Sequence, residues 1–113
     1  MFREKIKVLD CTIRDGGLIN NHDFSHQFVR AVYKALSEAG IDYMEIGYKN
    51  SKKLFSPKEF GTWKFCDDED IKKVIDGINS KLKISVMVDV DRVDIDDVKA
   101  RKESPVDMIR VAS

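Results

Sequence analysis

The chain is 113 residues long, with a mass of 13.0 kDa, and its 20 basic and 20 acidic residues cancel to a formal net charge of zero. This length suits one domain, and an apolar fraction of 42% with 35% charged residues is typical of a folded globular protein. A balanced charge provides no general field for nucleic acid or an anionic membrane, so we expect neither as a partner and expect any charged ligand to be held locally.

The N-terminus lacks the apolar core of a signal peptide, and no stretch reaches the roughly 20 consecutive apolar residues that a membrane helix requires. The two cysteines, Cys11 and Cys66, are too few and too far apart for a disulfide scaffold or a zinc site. We therefore expect a cytoplasmic protein in which both cysteines are ordinary thiols.

The first half of the chain predicts two strands around one helix. Residues 6–9 form a β-prone run that passes into a polar, glycine-bearing loop over 10–23. Apolar residues at helical spacing predict a first helix over 25–39, and residues 43–48 predict a second strand after a short connection. A long polar loop with scattered aromatic residues follows over 49–66.

The second half continues the alternation. Acidic residues at 67–70 begin a second helix, whose apolar stripe reaches Ile78. Residues 83–90 predict a third strand, whose β-branched centre suits burial on both faces. A short third helix is predicted over 94–102 and a fourth strand over 108–112.

The order β-α-β-α-β-α-β predicts a parallel sheet with right-handed crossovers. Four strands make half of a (βα)8 barrel, which takes about 250 residues in full. An open, doubly wound sheet, which four strands nearly complete, fits the pattern equally well. In both architectures the carboxyl ends of the strands meet on the functional face, so the loops that follow the strands are the place to look for chemistry.

The segment after the first strand, residues 10–17, reads D-C-T-I-R-D-G-G. Asp15 offers hard oxygen ligands for a divalent cation, and the planar, charged fork of Arg14 suits a carboxylate or an enolate oxygen. The two glycines allow backbone and ligand to approach closely. The spacing alone is also compatible with a solvated ion pair between Arg14 and Asp15 in a turn. The glycines do not have the spacing of a phosphate-binding loop, so no nucleotide cofactor is expected.

The sequence L-D-C-T-I-R-D-G-G at 9–17 resembles the first-strand signature D-x-T-L-R-D-G of the DRE-TIM metallolyase superfamily. The likeness extends to M-E-I-G at 44–47, similar to the family's second-strand I-E-x-G. It also extends to I-R-V-A-S at 109–113, which is similar to the fourth-strand V-R-V-A-T of the 4-hydroxy-2-oxovalerate aldolase branch. The resemblance implies that residues 1–113 are an N-terminal half-barrel fragment of an aldolase or lyase catalytic domain, the (βα)3β portion of a TIM barrel with its helices outside.

The same resemblance implies roles for individual residues. Asp15 takes the position of a metal ligand for Mn²⁺ or Mg²⁺, and Arg14 takes the position that steadies the enolate when the carbon–carbon bond breaks. Glu45 corresponds to a glutamate near the active site, with an ion-pair role at a strand end as the alternative. Asp10 and Thr12 are expected to fix the arginine and the aspartate.

The sequence departs from the family in two places. The family completes its metal site with a His-x-His pair, but His22 and His26 are four residues apart near the first helix, where capping or surface exposure is their expected role. The aldolase branch also places a histidine base three residues after its metal aspartate, where this sequence has Leu18. His22 therefore remains as the candidate catalytic base.

Other aromatic and acidic residues near the strand ends have two readings. Trp63, together with Phe60 and Phe65, is expected to cover the core, with the mouth of a substrate site as the alternative. Asp89 and Asp91 follow the third strand and are expected to serve in turns and caps, with a role in shaping the site as the alternative.

The implied activity is a divalent-metal-dependent aldolase that acts on a small 4-hydroxy-2-oxo acid, such as 4-hydroxy-2-oxovalerate, and gives pyruvate and an aldehyde. The fragment alone is expected to be inactive. One alternative is an acyl-CoA condensing enzyme or thioester lyase of the same superfamily, and another is a non-enzymatic α/β interaction module. Because an open sheet edge recruits another strand, we also expect self-association at this edge.

Overall fold

A computed structural model of the chain describes residues 6–94 and 104–112 and shows an α/β fold with a four-stranded parallel sheet. The strands are β1 (Leu9–Asp10), β2 (Tyr43–Tyr48), β3 (Lys83–Asp89) and β4 (Met108–Ala112). The helices are α1 (Thr12–Asn20), α2 (His26–Glu38), a short 3₁₀ helix (Thr62–Lys64) and α3 (Asp68–Ile75). The predicted helix over 94–102 falls, apart from its first residue, outside the described residues.

The strands lie in the sheet in the order in which they occur in the chain, and each pairs in parallel with the next. Across the sheet, Asp10 pairs with Met44, Glu45 with Ser85, and Ser85 with Met108. A doubly wound sheet reverses its strand order at a switch point, whereas the wall of a barrel keeps it. The half-barrel prediction is confirmed, and the open, doubly wound alternative is wrong.

The helices α2 and α3 cover one face of this sheet. Alternate residues of a strand point to opposite faces, and the residues of β2 and β3 that face the helices are aliphatic. The core side chains that meet there are buried in one cluster: Met44, Ile46, Ile84 and Val86 from the sheet, Val29 and Tyr33 from α2, and Ile71 and Val74 from α3. Each such burial contributes about 1.5–3 kcal/mol, so this layer supplies most of the stability.

The bounds of α2 and α3 follow from local signals in the sequence. The Ser25 hydroxyl accepts a hydrogen bond from the backbone N–H of Phe28 at 3.0 Å, which caps α2 and confirms the predicted helix. Acidic residues occupy the first turn of α3, where they complement the helix dipole. In the described ranges 6–94 and 104–112, no helix combines the length and the apolar character needed to cross a bilayer.

The prediction of a loop over 10–23 is wrong, because most of this segment forms the helix α1. At the start of this helix, the Asp10 carboxylate accepts hydrogen bonds from the backbone N–H and from the hydroxyl of Thr12, each at 3.0 Å. Ile13 and Gly17 are buried one turn apart on the same side. The burial of Ile13 outweighs the low helix propensity of the glycines, which costs about 1 kcal/mol each.

The first strand is shorter and later than predicted. Only Leu9 and Asp10 are paired with β2, whereas the prediction placed the strand at 6–9. The backbone N–H of Val8 donates instead to the carboxylate of Asp42 at 2.7 Å, so a side chain takes the place of the expected ladder partner.

Candidate active site

The guanidinium of Arg14 lies between two carboxylates at the carboxyl edge of the sheet. Its Nη2 is 2.8 Å from Oδ1 of Asp15, and its Nε is 3.6 Å from Oε1 of Glu45. Its Nη1 donates to the hydroxyl of Tyr48 at 3.4 Å. Burial alone lowers the pKa of Arg14, but hydrogen bonds to Tyr48 and Cys11 and the two carboxylates outweigh burial and raise it. Arg14 is therefore a permanent, fixed cation.

Glu45 is completely buried on the face of the sheet opposite to the helices. Its Oε2 lies 2.8 Å from Nε of Arg110 on β4, while its Oε1 faces Arg14. Neither oxygen has a well-aligned hydrogen bond within the described ranges, so these are contacts between charges. Because a buried carboxylate needs a cation, Glu45 holds the two arginines toward each other across the sheet.

The carboxylate of Asp15 is open to solvent, with 57% of the side chain exposed. Its Oδ2 accepts a hydrogen bond from Sγ of Cys11 at 3.3 Å, and its Oδ1 faces Arg14. Among residues 6–94 and 104–112, no group of three or more His, Cys, Asp or Glu side chains is placed to hold a metal ion. Asp15 thus fits a divalent cation as one hard-oxygen ligand and needs further ligands from elsewhere.

Asp10 and Thr12 form hydrogen bonds with each other, and these bonds do not involve the side chains of Arg14 and Asp15, which they were expected to fix. Their hydrogen bonds set the first turn of α1. Since Arg14 and Asp15 lie on that turn, Asp10 and Thr12 help to position them through the backbone.

His22 is buried, with 2% exposure, so its expected role as a capping or surface residue is wrong. After α1 ends at Asn20, the chain turns through two left-handed residues, Asn21 (φ 58°) and His22 (φ 62°), and brings the imidazole back over α1. Such conformations cost non-glycine residues about 1–3 kcal/mol each and cluster at functional sites. The expectation failed because it assumed a loop where α1 forms.

The imidazole of His22 fills the space beside Gly17, where a Cβ would lie 2.0 Å from Nδ1. The ring packs edge-on against Tyr48, with ring centres 5.3 Å apart. Its Nδ1 is buried and has no hydrogen-bond partner within the described residues. Desolvation, together with the charge of Lys64, lowers the pKa of His22 to about 4, so the ring is neutral at neutral pH. Tyr48 thus connects His22 to the arginine site.

Three residues that border this site were not predicted from the sequence: Tyr48, Lys64 and Arg110. Tyr48 is the last residue of β2, and Arg110 stands in β4 level with it, because both are in register with Met87. The signal for Tyr48 was its place directly after the M-E-I-G motif, and the signal for Arg110 was its place within the I-R-V-A-S motif. Lys64 is on the 3₁₀ helix, and nothing in the spacing of the sequence indicated it.

The expectations for Trp63, Asp89 and Asp91 agree with the structure, whereas the half-buried Phe60 packs edge-on against Phe55 outside the core cluster. Trp63 is fully buried, and its indole N–H donates to the carbonyl of Phe24 at 2.9 Å, so it covers the core as expected. Asp89 lies 3.8 Å from Nη1 of Arg92, three residues later, as a turn residue does. Asp91 is exposed.

A polar cleft of about 430 Å³ lies away from these residues, between the end of α1 and the loop over 49–66. Asp23 and Asp70 line it, and Nε2 of His26 lies 2.8 Å from Oδ1 of Asp70. None of Arg14, Asp15, Glu45 and His22 lines it. The candidate site is therefore the open edge of the sheet and not this cleft.

The profile of the HMGL-like family matches residues 5–113, nearly the whole chain. The chain belongs to the HMGL-like family. This HMGL-like chain is 26% identical over 113 residues to 4-hydroxy-2-oxovalerate aldolase from Moorella thermoacetica, covering all of the chain and 33% of that protein. It is 24% identical over 111 residues to 4-hydroxy-2-oxovalerate aldolase 6 from Rhodococcus jostii, covering 98% of the chain and 31% of that protein.

A solved structure resembles the HMGL-like chain as well. It is the N-terminal domain of a Bacteroides vulgatus protein classed as an aldolase, with a TM-score of 0.73 and 32% identity over 94% of this chain and 35% of that one. The HMGL-like chain thus spans about one third of the length of the curated relatives that it matches over its full length. These findings confirm the family resemblance drawn from the strand-end motifs.

Proposed function

We propose that this chain is the N-terminal part of a divalent-metal-dependent carbon–carbon lyase that cleaves a 4-hydroxy-2-oxo acid, such as 4-hydroxy-2-oxovalerate, to pyruvate and an aldehyde. The observation that carries the proposal is the placement of the Arg14 guanidinium between the carboxylates of Asp15 and Glu45 at the carboxyl edge of the sheet. The names of the relatives from Moorella thermoacetica and Rhodococcus jostii support the same reaction class.

In the proposed reaction, the 4-hydroxyl group loses its proton and the bond between C3 and C4 breaks. The electron pair of that bond passes to C3, which forms the enolate of pyruvate, and C3 then takes up a proton. Arg14 donates hydrogen bonds to the oxygen on which the negative charge collects. One positioned donor of this kind typically contributes about 2.7–4 kcal/mol to the lowering of the barrier.

Glu45 is the residue that positions Arg14. A flexible guanidinium has to be held in one orientation before the reaction, and a fully buried carboxylate 3.6 Å away provides that restraint. Arg110 holds the second oxygen of Glu45 at 2.8 Å and so keeps the carboxylate itself in place.

Asp15 is the proposed ligand for Mn²⁺ or Mg²⁺, since its carboxylate is exposed beside Arg14. A cation bound there would polarise the 2-oxo group and stabilise the charge of the enolate. With one such carboxylate among the described residues, the chain by itself should bind the cation weakly and cleave no substrate.

His22 is the proposed acceptor of the 4-hydroxyl proton, because its neutral ring packs against Tyr48, whose hydroxyl accepts a hydrogen bond from Arg14. A group with a pKa of about 4 is a weak base at neutral pH. An anionic substrate beside it favours the imidazolium form, and its binding would therefore raise the pKa of His22 toward the working pH.

We also propose that further strands of a barrel, or a second copy of the chain, pair with the open edge of β4, the last strand of the sheet. On its outer face, Ile109 is 39% exposed and Val111 is 68% exposed. An edge strand with exposed aliphatic side chains readily pairs with another strand.

The proposal is tested by titrating Mn²⁺ into the purified chain in the presence of pyruvate and measuring free Mn²⁺ by electron paramagnetic resonance. We expect weak binding by the natural chain, and an Asp15→Ala variant should bind at least about tenfold more weakly. The reason is that this substitution removes the exposed carboxylate next to Arg14.

The matched control is Asp76→Ala, which removes an exposed aspartate at the end of α3, next to the connection that leads to the start of β3. This variant should bind Mn²⁺ like the natural chain. Equal affinities of the natural chain and Asp15→Ala would contradict the proposed metal ligand.

A further inference from the structure

Lys64 lies among three aromatic rings next to the candidate active site. Its Nζ is 4.3 Å from the ring centre of Phe55, 4.9 Å from that of Phe60 and 5.6 Å from that of Tyr48. Aromatic faces attract an ammonium group and fix its position. Lys64 is therefore a charge held in one place, unlike a mobile lysine on the surface.

No carboxylate neutralises Lys64 at salt-bridge distance among residues 6–94 and 104–112. The loop that carries it contains other lysines that do have such partners, because Lys49, Lys52 and Lys53 each pair with an aspartate. Aspartates outside the loop thus pair with three of its lysines, whereas Lys64 has aromatic neighbours.

A second cation lies beside Lys64. The guanidinium carbon of Arg92 is 6.0 Å from the centre of the Phe55 ring, the same ring that Lys64 faces at 4.3 Å. Burial and the charge of Arg92 lower the pKa of Lys64, and the more weakly acting Asp89 raises it. Asp89 also faces Arg92, at 3.8 Å, so two cations share this one carboxylate. Within the described part of the chain, one positive charge in this cluster therefore has no counter-charge of its own at salt-bridge distance.

The cluster borders the place where the substrate would react. The ring centre of Tyr48 lies 5.6 Å from Nζ of Lys64 and 6.0 Å from the guanidinium carbon of Arg14, and its hydroxyl accepts a hydrogen bond from Arg14. A ligand whose 2-oxo acid end binds at Arg14 can therefore extend past Tyr48 toward Lys64.

We propose that Lys64, assisted by Arg92, binds a second anionic group of the substrate, a carboxylate or a phosphate monoester on the half that leaves as the aldehyde. This inference rests on the proposed function and names its substrate class: a 4-hydroxy-2-oxo acid whose aldehyde product is itself an anion. The aldehyde released from 4-hydroxy-2-oxovalerate is uncharged and would leave Lys64 without a counter-ion. An anion at Lys64 also removes one of the charges that repel a proton from His22.

The first experiment follows anion binding without metal, using nuclear magnetic resonance on the isotope-labelled chain. Succinate and inorganic phosphate are titrated separately, so that the two kinds of anion are told apart. With the anion that binds, the side-chain signals of Lys64, Phe55 and Phe60 should shift in a saturable way. The shifts should disappear in Lys64→Gln and persist in Lys58→Gln, which removes an exposed lysine of the same loop.

The second experiment adds Mg²⁺ and compares pyruvate with 2-oxoglutarate, a 2-oxo acid that carries a second carboxylate. The natural chain and Lys58→Gln should bind 2-oxoglutarate at least about tenfold more tightly than pyruvate, since a charge-assisted contact is gained. In Lys64→Gln this ratio should fall toward one. If phosphate alone binds in the first experiment, a 2-oxo acid phosphate ester replaces 2-oxoglutarate in this comparison.

The possible failures are distinguishable. If neither succinate nor phosphate shifts the Lys64 signals, or if Lys64→Gln keeps the preference for the dianionic acid, the anion site is overturned. If Mg²⁺-dependent binding of pyruvate is absent while an anion still binds at Lys64, the lyase proposal fails and the anion site stands.

Discussion

The two faces of the sheet bury different kinds of side chain, although they are built from alternate residues of the same strands. On the face under the helices, β2 and β3 present aliphatic side chains such as Ile46 and Val86. On the opposite face the same strands bury Glu45 and Ser85, and β4 adds Arg110. Because the side-chain period of a strand is two, one strand can supply stability on one face and charge on the other. Substitutions on the two faces should therefore have different consequences.

The largest loss of stability is expected on the helix-covered face, from Ile46→Ala. Ile46 is completely buried, and truncating such a side chain removes its burial and leaves a cavity. We expect the free energy of unfolding to fall by about 4 kcal/mol, measured by urea denaturation. Ile19→Ala on α1 is the control, because Ile19 is 92% exposed and its truncation should change the free energy by less than about 0.5 kcal/mol. Similar losses in both variants would contradict the assigned core.

On the polar side, the next largest effect is a dependence of stability on pH that originates at His22. Its pKa is lowered from the ordinary 6.5 to about 4, so between these values the unfolded chain binds more protons than the folded one. The neutral His22 therefore stabilises the folded chain by roughly 3 kcal/mol above pH 6.5, and this stabilisation is lost as the pH falls toward 4.

This pH dependence is measured by urea unfolding at several pH values between 7 and 4, for the natural chain and for His22→Gln. The variant should lose most of the slope. His26→Gln, which removes a histidine that is 41% exposed and paired with Asp70, should keep it. An unchanged slope in His22→Gln would show that other groups cause the dependence.

A smaller effect is expected from Glu45→Gln, which keeps the shape of the side chain and removes its charge. The free energy of unfolding should fall by about 2 kcal/mol, a value between those typical of exposed and of buried ion pairs. The loss is intermediate because Arg110 is partly exposed and Arg14 keeps its contact with Asp15. Binding of pyruvate with Mn²⁺ should weaken too, since Arg14 loses its restraint. The exposed Glu59→Gln is the control, and a Glu45→Gln chain that binds pyruvate unchanged would contradict the positioning role.

The elements that were predicted correctly are those whose signals lie within the element itself or next to it in the sequence. The strand β2 has the predicted bounds, and α2 begins where Ser25 caps it. The helix α1 could not be predicted in this way, because its two glycines favour a loop and its stability depends on burying Ile13 against the rest of the fold. The burial of His22 was missed for the same reason, since its place depends on α1.

The candidate site was predictable to a similar extent. Arg14 and Asp15 follow β1 directly, and Glu45 lies within β2, so strand ends and motifs were enough to single them out. Arg110 lies in a motif, but its pairing with Glu45 was not predictable, because it depends on the register across three strands. The place of Lys64 was not predictable either, because it depends on the path of an irregular loop. Such contacts leave no periodic trace in a single sequence.

The close approach of Gly17 and His22 has a consequence for how this sequence can evolve. Any side chain at position 17 would occupy the volume of the imidazole, since even a Cβ would lie 2.0 Å from Nδ1. A lineage that acquires a larger residue at position 17 must therefore lose or displace the ring at position 22. The two positions form one heritable unit, and in a set of homologous sequences they should vary together or not at all.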